Sequence, residues 1–524
     1  MKRRKLPIGI QNFREIRADD HYYVDKTALA FKLVDEGKHY FLSRPRRFGK
    51  SLFLDTLKEL FEGNKSLFQG LAAHDQWDWS VKYPVLRFSF GGGDYAKEGQ
   101  TEKALFEQLD AFENEYKVPT IYETASGRLK ALIVQAEKQT GQSVIVLIDE
   151  YDKPILDTLQ DKVLSRSNRN FLRGFYGVIK DSDAHIKFTF LTGVSKFSQV
   201  SIFSGLNNLF DITLDPDYSS LCGYTDHDID TVFAPELDGL DREEIKEWYN
   251  GYNWLGQHVY NPFDVLKLFK KRVFKNYWFE TGTPTFLVDH LAKNHFFSPD
   301  LGALQSDEAL LSAFDIDHIS NEALLFQTGY LTIHDVQEPL LGHWIYTLGY
   351  PNLEVKSSLN MSLLNAYGCD ESKVLKNRLS LLNILQTGSL AELEELFHAF
   401  FASIPYQWYT NNNIADYEGY YASVFYSYFA ALGLDVTVED SSNQGRLDMA
   451  LKFNNQVYLF EFKVVELTPD GKALQQIKDQ QYADKYRGLK QPIHLIGVEF
   501  SKKSRNIVGF EVEADFKTQS QPAP

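Results

Sequence analysis

Two groups of side chains have types and spacings suited to handling phosphate. The first is Gly49, Lys50 and Ser51, which close the stretch SRPRRFGKSL at 43–52. A phosphate-binding loop reads G-x-x-x-x-G-K-[ST]. Its backbone N–H groups wrap a phosphate at a helix N-terminus, its lysine meets the β/γ-phosphates, and its hydroxyl ligates Mg²⁺. Arg44 stands where the opening glycine belongs. The triplet alone therefore fits either an altered nucleotide loop or a chance Gly-Lys-Ser. The later stretch VIVLIDE at 144–150 favours the loop, because it reads as a buried strand ending in Asp149 and Glu150. Asp149 would share the Mg²⁺ with Ser51, and Glu150 would orient and deprotonate the attacking water. Thr192, ending IKFTFLTG at 186–193 with Ser195 and Lys196 beyond it, stands where a residue would sense the γ-phosphate; a turn cap is the competing reading. Arg46 and Arg47, with Arg44, put cations where an anionic ligand would approach, and Pro45 would fix the bend that glycine usually permits. Arg169 and Arg173, between the Asp149 and Thr192 strands, are candidates for a charge-stabilising finger.

The second group lies in GRLDMALKFNNQVYLFEFKV at 445–464. Asn454 and Asn455 suit the positive φ of a two-residue type I′ hairpin turn. Counting outward from that turn, residue 453 pairs with 456 and Asp448 with Glu461, in a non-hydrogen-bonded pair on one face. Lys463, two residues on, shares that face. Two carboxylates held directly opposite repel, and a hard divalent cation between them removes the repulsion. With a lysine alongside, the arrangement suits metal-assisted hydrolysis of a phosphodiester, using Mg²⁺ or Mn²⁺. An exposed hairpin face with an ordinary Glu–Lys pair is the competing reading.

The elements that must hold these groups follow from pattern. Apolar runs at 39–43, 83–90, 143–150 and 186–193 alternate with amphipathic segments, as expected of a parallel α/β sheet. SLFLDTLKELFEG after the loop reads as a helix with Phe53, Leu57, Leu60 and Phe61 on one face and Gly63 as its stop. Helical stretches dominate from about 218 to 333, and about 334–380 reads as a strand-poor connection. DYEGYYASVFYSYFAALG at 416–433 reads as a helix whose tyrosines recur at core spacing. The expected domains are a P-loop α/β domain over 1–217, a helical lid over 218–345, a connection over 346–380, a second α/β domain over 381–512 and a disordered tail over 513–524.

The chain has 524 residues, enough for about three domains. Two cysteines, Cys222 and Cys369, exclude a disulfide framework. No apolar run nears the ~18 residues of a membrane span, so a cytoplasmic location is expected. A net charge of −16 gives no general support to nucleic-acid binding, which would need a local basic surface.

YVDKT (23–27), RPRRFGKSL (44–52), LIDEYDKPI (147–155), LTGVSKFS (191–198), FSGLNNLFDIT (203–213), WYNGY (248–252) and NYWFETGTPTFL (276–287) together resemble the bacterial AAA-ATPase-like family. That family couples an ASCE-type P-loop domain and helical lid to a C-terminal PD-(D/E)XK nuclease-type domain of restriction-endonuclease-like fold. The resemblance runs over nearly the whole chain and makes Arg44 a family trait. The D-x₁₂-E-x-K spacing of Asp448, Glu461 and Lys463 is similar to the PD-(D/E)XK core, with Gly-Arg-x-Asp in place of Pro-Asp. The resemblance further implies Glu418 as a metal-binding acid on the preceding helix, and Gln476 and Tyr482 as polar groups on the following one. The function it implies is ATP binding and hydrolysis coupled to a Mg²⁺- or Mn²⁺-dependent nuclease acting on nucleic acid, in a protein compatible with homo-oligomers. The alternative is a nucleotide-dependent regulatory or interaction protein whose nuclease fold binds partners without cutting.

Overall fold

The computed structural model describes residues 3–119, 121–196, 208–281, 287–288, 291, 298–308, 311, 320–366, 371–402, 418–441 and 445–515. The chain divides into two compact units. One comprises Met1–Thr281 with Ala303–Asn352, and the other Gly282–Gly302 with Leu353–Pro524.

The first unit is built on a parallel sheet of β1 (His39–Ser43), β2 (Val85–Ser89), β3 (Val144–Asp149), β4 (Ile186–Gly193) and β5 (Phe210–Asp211), in the order β2-β3-β4-β1-β5. All its pairings are parallel. β1 and β3 are buried along their whole length, which is why they read as continuous apolar runs rather than alternating ones. β4 lies between β1 and β3, with Leu42 beside Thr192 and Ile148 beside Leu191. The loop lysine and the two acids thus leave the same edge of the sheet from strands two places apart. The helix Lys50–Phe61 follows β1 and buries Phe53, Leu57, Leu60 and Phe61, the face expected of it. Further on, Arg242–Tyr249 and Pro262–Lys271 enclose a core that includes Phe233, Ile245, Val265 and Phe269.

The strand-poor reading of 334–380 is overturned over 334–349, and beyond it the described residues to 380 hold helices and no strand. β7 (Thr332–Leu340) and β8 (His343–Gly349) form an antiparallel hairpin that β6 (Leu304–Asp307) joins in the order β6-β8-β7, and a helix runs over Leu353–Ala366. Most of β7 and the start of β8 are exposed, so no alternation of apolar and polar residues marks them.

The second unit contains β9 (Asp435–Ser441), β10 (Arg446–Phe453), β11 (Gln456–Val465), β12 (Ile493–Ser501) and β13 (Asn506–Asp515), ordered β13-β12-β11-β10-β9. Only β11 and β12 pair in parallel. β13 extends to Asp515, into the segment expected to be a disordered tail; residues 516–524 lie outside the described residues. One face of the sheet carries an aromatic core. Phe397 stacks on Phe425 at 3.7 Å and Tyr421 on Phe500 at 4.0 Å, with Phe460 and Phe462 beneath. Tyr421, Tyr426 and Tyr428 are buried, so these tyrosines are core, as their spacing implies. Among the described residues no helix is long and apolar enough to cross a membrane.

Candidate functional site

β1 ends at Ser43, and the chain turns through Pro45 and Arg47 (φ 69°) to Gly49, whose φ of 95° caps the helix Lys50–Phe61. Lys50 is buried, and its Nζ donates to the carbonyls of Arg44 and Pro45, both at 2.8 Å. The lysine is thereby folded across its own loop. Burial lowers the Lys50 pKa, opposed by the charges of Asp149, Glu150 and Asp152. A cavity of about 570 Å³ opens here, lined among others by Arg46, Arg47, Gly49, Lys50, Ser51, Glu150 and Lys153. Its size falls within the range of small-molecule sites.

The three arginines of the loop part company. Arg46 and Arg47 are exposed and line the cavity, with Arg47 4.9 Å from the centroid of the Phe263 ring. Arg44 is 0% exposed and turned the other way. It donates to the carbonyls of Ser43, Thr213 and Tyr218 and lies 4.1 Å over Trp254, and burial brings its pKa down to about 10. The expectation of three cations facing the ligand is corrected to two, because Arg44 anchors the loop from behind.

At the end of β3, Asp149 is buried and its Oδ1 has no hydrogen-bond partner, while Oδ2 lies 3.8 Å from Arg87. Glu150 adopts φ 51°, a conformation uncommon for a residue with a side chain. Burial raises its pKa, with the Lys50 charge opposing and the Asp149 charge adding. Thr192 does not line the cavity; its hydroxyl is buried and donates to Leu42 O at 2.9 Å. Ser195 and Asp152 are paired instead. The buried Asp152 carboxylate accepts from Val194 N, Ser195 N and Ser195 Oγ, at 3.0, 2.6 and 2.6 Å. Burial raises the Asp152 pKa and the Ser195 bonds oppose it. Lys196 pairs with Asp211 at 2.5 Å. Arg169 and Arg173 lie on the helix Lys162–Asp181, away from the cavity lining. Asp152 and Lys153 received no role from sequence alone, although both belong to the conspicuous run LIDEYDKPI. The signal was a cluster of charges just past a buried strand.

In the second unit, Asn454 and Asn455 have φ of 50° and 57°, and the ladder runs from Phe453↔Gln456 to Met449↔Phe460, in the register expected. It stops there. Asp448 and Glu461 do not continue it as a facing pair; instead the Asp448 carboxylate accepts the N–H of Phe462 at 2.7 Å. A charged acceptor forms a stronger bond than the backbone carbonyl it replaces, so the strands part at this point. β11 continues to Val465 along β12, and Asp448, Glu461 and Lys463 sit in the resulting fork.

Glu461 is 0% exposed; one oxygen accepts from Lys463 Nζ at 3.1 Å and the other, Oε2, has no partner. Its pKa is pushed up to about 7 by burial, then by the Asp448 charge, with Lys463 opposing. A divalent cation fits this fork, because it would satisfy the orphaned oxygen and relieve the repulsion. Glu418 begins the helix Glu418–Ala431, and its side chain lies outside the described residues. Among the described residues no three His, Cys, Asp or Glu side chains converge. Gln476 is half-buried on the helix Lys472–Asp479. Tyr482 is buried and donates to Arg446 O at 2.9 Å, steadying the strand that carries Asp448. Glu499, beside Lys463 in register, accepts from the N–H groups of Asp470, Gly471, Lys472 and Ala473 and so caps that helix.

Comparison with known proteins follows the same division. Residues 7–203 match the AAA-ATPase-like family, described as a predicted AAA-ATPase, and residues 416–510 match the PD-(D/E)XK nuclease superfamily. An uncharacterized protein in the vnfD 5′ region of Azotobacter chroococcum mcd 1 is 59% identical over 515 residues, covering 98% of this chain and 100% of that one. No solved structure matches.

Proposed function

Because the chain belongs to the AAA-ATPase-like family and carries a C-terminal domain of the PD-(D/E)XK nuclease superfamily, we propose that it is an ATPase coupled to a metal-dependent nuclease. One observation supports both halves. Each site keeps a buried carboxylate oxygen without a partner near a lysine: Asp149 Oδ1 with Lys50, and Glu461 Oε2 with Lys463. Such atoms cost free energy unless a ligand completes them.

In the first site Lys50, Gly49, Arg46 and Arg47 bind the phosphates, Ser51 and Asp149 hold Mg²⁺, and Glu150 takes the proton of the attacking water. The raised pKa of Glu150 makes it a better base than an exposed carboxylate. Thr192, with its buried hydroxyl donated to Leu42 O, ties β4 to β1 and takes no part in this binding. In the second site Glu418, Asp448 and Glu461 hold Mg²⁺ or Mn²⁺, and Lys463 steadies the scissile phosphate. The bound ion supplies Lewis-acid activation of water and of the phosphodiester.

A second reading, a nucleotide-dependent protein that binds partners through this fold without cutting, draws on the surface charge. Arg446, Lys472, Lys478, Lys485, Arg487 and Lys502 are each paired with a carboxylate, of Glu439, Asp470, Glu513, Asp440, Asp515 and Glu466 respectively. The test combines purified protein with Mg²⁺ or Mn²⁺ and DNA or RNA, with and without ATP. Wild type, Lys50→Ala and Asp448→Ala are compared. Wild type that hydrolyses ATP but leaves every nucleic acid intact rejects the nuclease half. Full ATPase activity in Lys50→Ala rejects the nucleotide site.

A further inference from the structure

Hydrolysis of ATP builds negative charge on the bridging oxygen that departs and on the three equatorial oxygens of the transferred group. A cation beyond the P-loop lysine commonly meets that charge. Arg169 and Arg173 do not line the cavity, but Lys153 does. It starts the short turn of helix Lys153–Leu156, just after Glu150, and its backbone N–H donates to Glu150 O at 3.1 Å. The Lys153 Nζ donates to Gly93 O at 2.9 Å and to Asp157 Oδ2 at 2.6 Å, and lies 5.0 Å from the Tyr95 ring centroid. An ammonium has three donors, so one is left for a ligand.

The glycine loop 91–93 that follows β2 meets both functional groups, Glu150 at Gly91 and Lys153 at the Gly93 carbonyl. A Cβ at Gly91 would lie 3.5 Å from Glu150 Oε2, and one at Gly93 would overlap the Tyr95 ring at 2.2 Å. Glu150 and Lys153 thus stand on one turn after β3 and meet one loop after β2, in ordinary contact at Gly91 and through the carbonyl of Gly93, where a side chain would displace the Tyr95 ring.

We propose that Lys153 is a catalytic residue of ATP hydrolysis, a cation supplied within the chain that contacts the γ-phosphate as the reaction proceeds. The assignment rests on the nucleotide-site reading above. As the water oxygen bonds to the γ-phosphorus, its proton passes to Glu150. The bond from the γ-phosphorus to the bridging oxygen breaks, and its electron pair leaves on ADP. Lys153 neutralises the charge on the transferred group, while Gly93 O and Asp157 hold the ammonium in place between turnovers.

The test uses full-length wild type, Lys153→Ala, Lys153→Arg and Lys50→Ala, each checked for an unchanged melting temperature. Binding of a fluorescent ATP analogue, and retention of ADP with aluminium fluoride through gel filtration, are measured alongside kcat. The expected result is that Lys153→Ala binds the analogue within about twofold of wild type and fails to retain ADP with aluminium fluoride. Its kcat falls about 10²-fold, as for loss of one charge-stabilising donor. Lys153→Arg recovers part of both. If Lys153→Ala retains ADP with aluminium fluoride as wild type does, the assignment is overturned while the nucleotide site stands. If wild type binds no analogue, the nucleotide-site reading falls and this inference with it.

Discussion

Glu461→Gln is expected to stabilise the C-terminal unit in metal-free buffer, and to do so more as the pH rises. The carboxyl of Glu461 is fully buried in the β10–β11 fork, near Asp448, and titrates near 7 instead of its ordinary 4.5. In the unfolded chain it returns to water and to the ordinary value, so the folded state binds the proton more tightly. Below pH 4.5 the group is protonated in both states and contributes nothing; above about 7 it is ionised in both, and the folded state bears the full penalty. Wild-type stability therefore falls as pH rises through this window. The gap from 4.5 to about 7 is worth about 3 kcal/mol at ~1.36 kcal/mol per pH unit, and roughly 2 kcal/mol of it develops between about pH 5.5 and 8.5. Glutamine cannot ionise, so the variant lacks this slope. Mn²⁺ should reverse the order, because a bound cation stabilises the folded wild type and has lost a ligand in the variant. The assay is urea unfolding read by hydrogen exchange of β11 amides, in chelator and in Mn²⁺, at both pH values. If the difference between the two proteins is the same at both pH values in chelator, the reasoning fails.

Other outcomes follow from single contacts. Glu499→Ala removes the acceptor of four N–H groups and should cost about 2 kcal/mol, with faster hydrogen exchange at 470–473. Gly251→Ala combines φ 103° with a Cβ only 1.8 Å from Pro351 O, so the first unit should lose about 3 kcal/mol or more in thermal or chemical melts. Arg44→Met leaves three carbonyls without their donor and should cost about 3 kcal/mol of stability, whereas Arg46→Ala should melt as wild type and bind ATP more weakly. Calorimetry and ATP titration of the two variants separate these roles, and the reverse pattern would refute them.

The strands and the hairpin were legible because their signals are local. β1 and β3 are buried throughout and show as unbroken apolar runs, and two adjacent asparagines set the register that carries Glu461 and Lys463 to one face. The strands at 332–349 were missed because their side chains mostly face solvent and carry no alternation. Arg44 was misplaced because a sequence shows a cation and not its surroundings; the carbonyls of Thr213 and Tyr218, far along the chain, draw it inward. The parting of β10 and β11 was also hidden, since it turns on one carboxylate competing with a carbonyl for the Phe462 N–H. Asp152 lies in a quoted motif, yet its task of holding Val194 and Ser195 appears only once β4 is placed beside β3.

The turn at Asn454 and Asn455 ties two otherwise unrelated properties to one count of residues. Glu461 and Lys463 point to one side of β11 while Phe460 and Phe462 point into the aromatic core on the other. Adding or losing a single residue at the turn would exchange the two sets, since side chains alternate strictly along a strand. The acid and lysine would then enter the apolar layer, and the phenylalanines would occupy the fork. A one-residue change in this hairpin would therefore have to be absorbed within the turn, as a bulge or a longer loop, for β11 to keep its register on β12 and leave both the fork and the aromatic core in place.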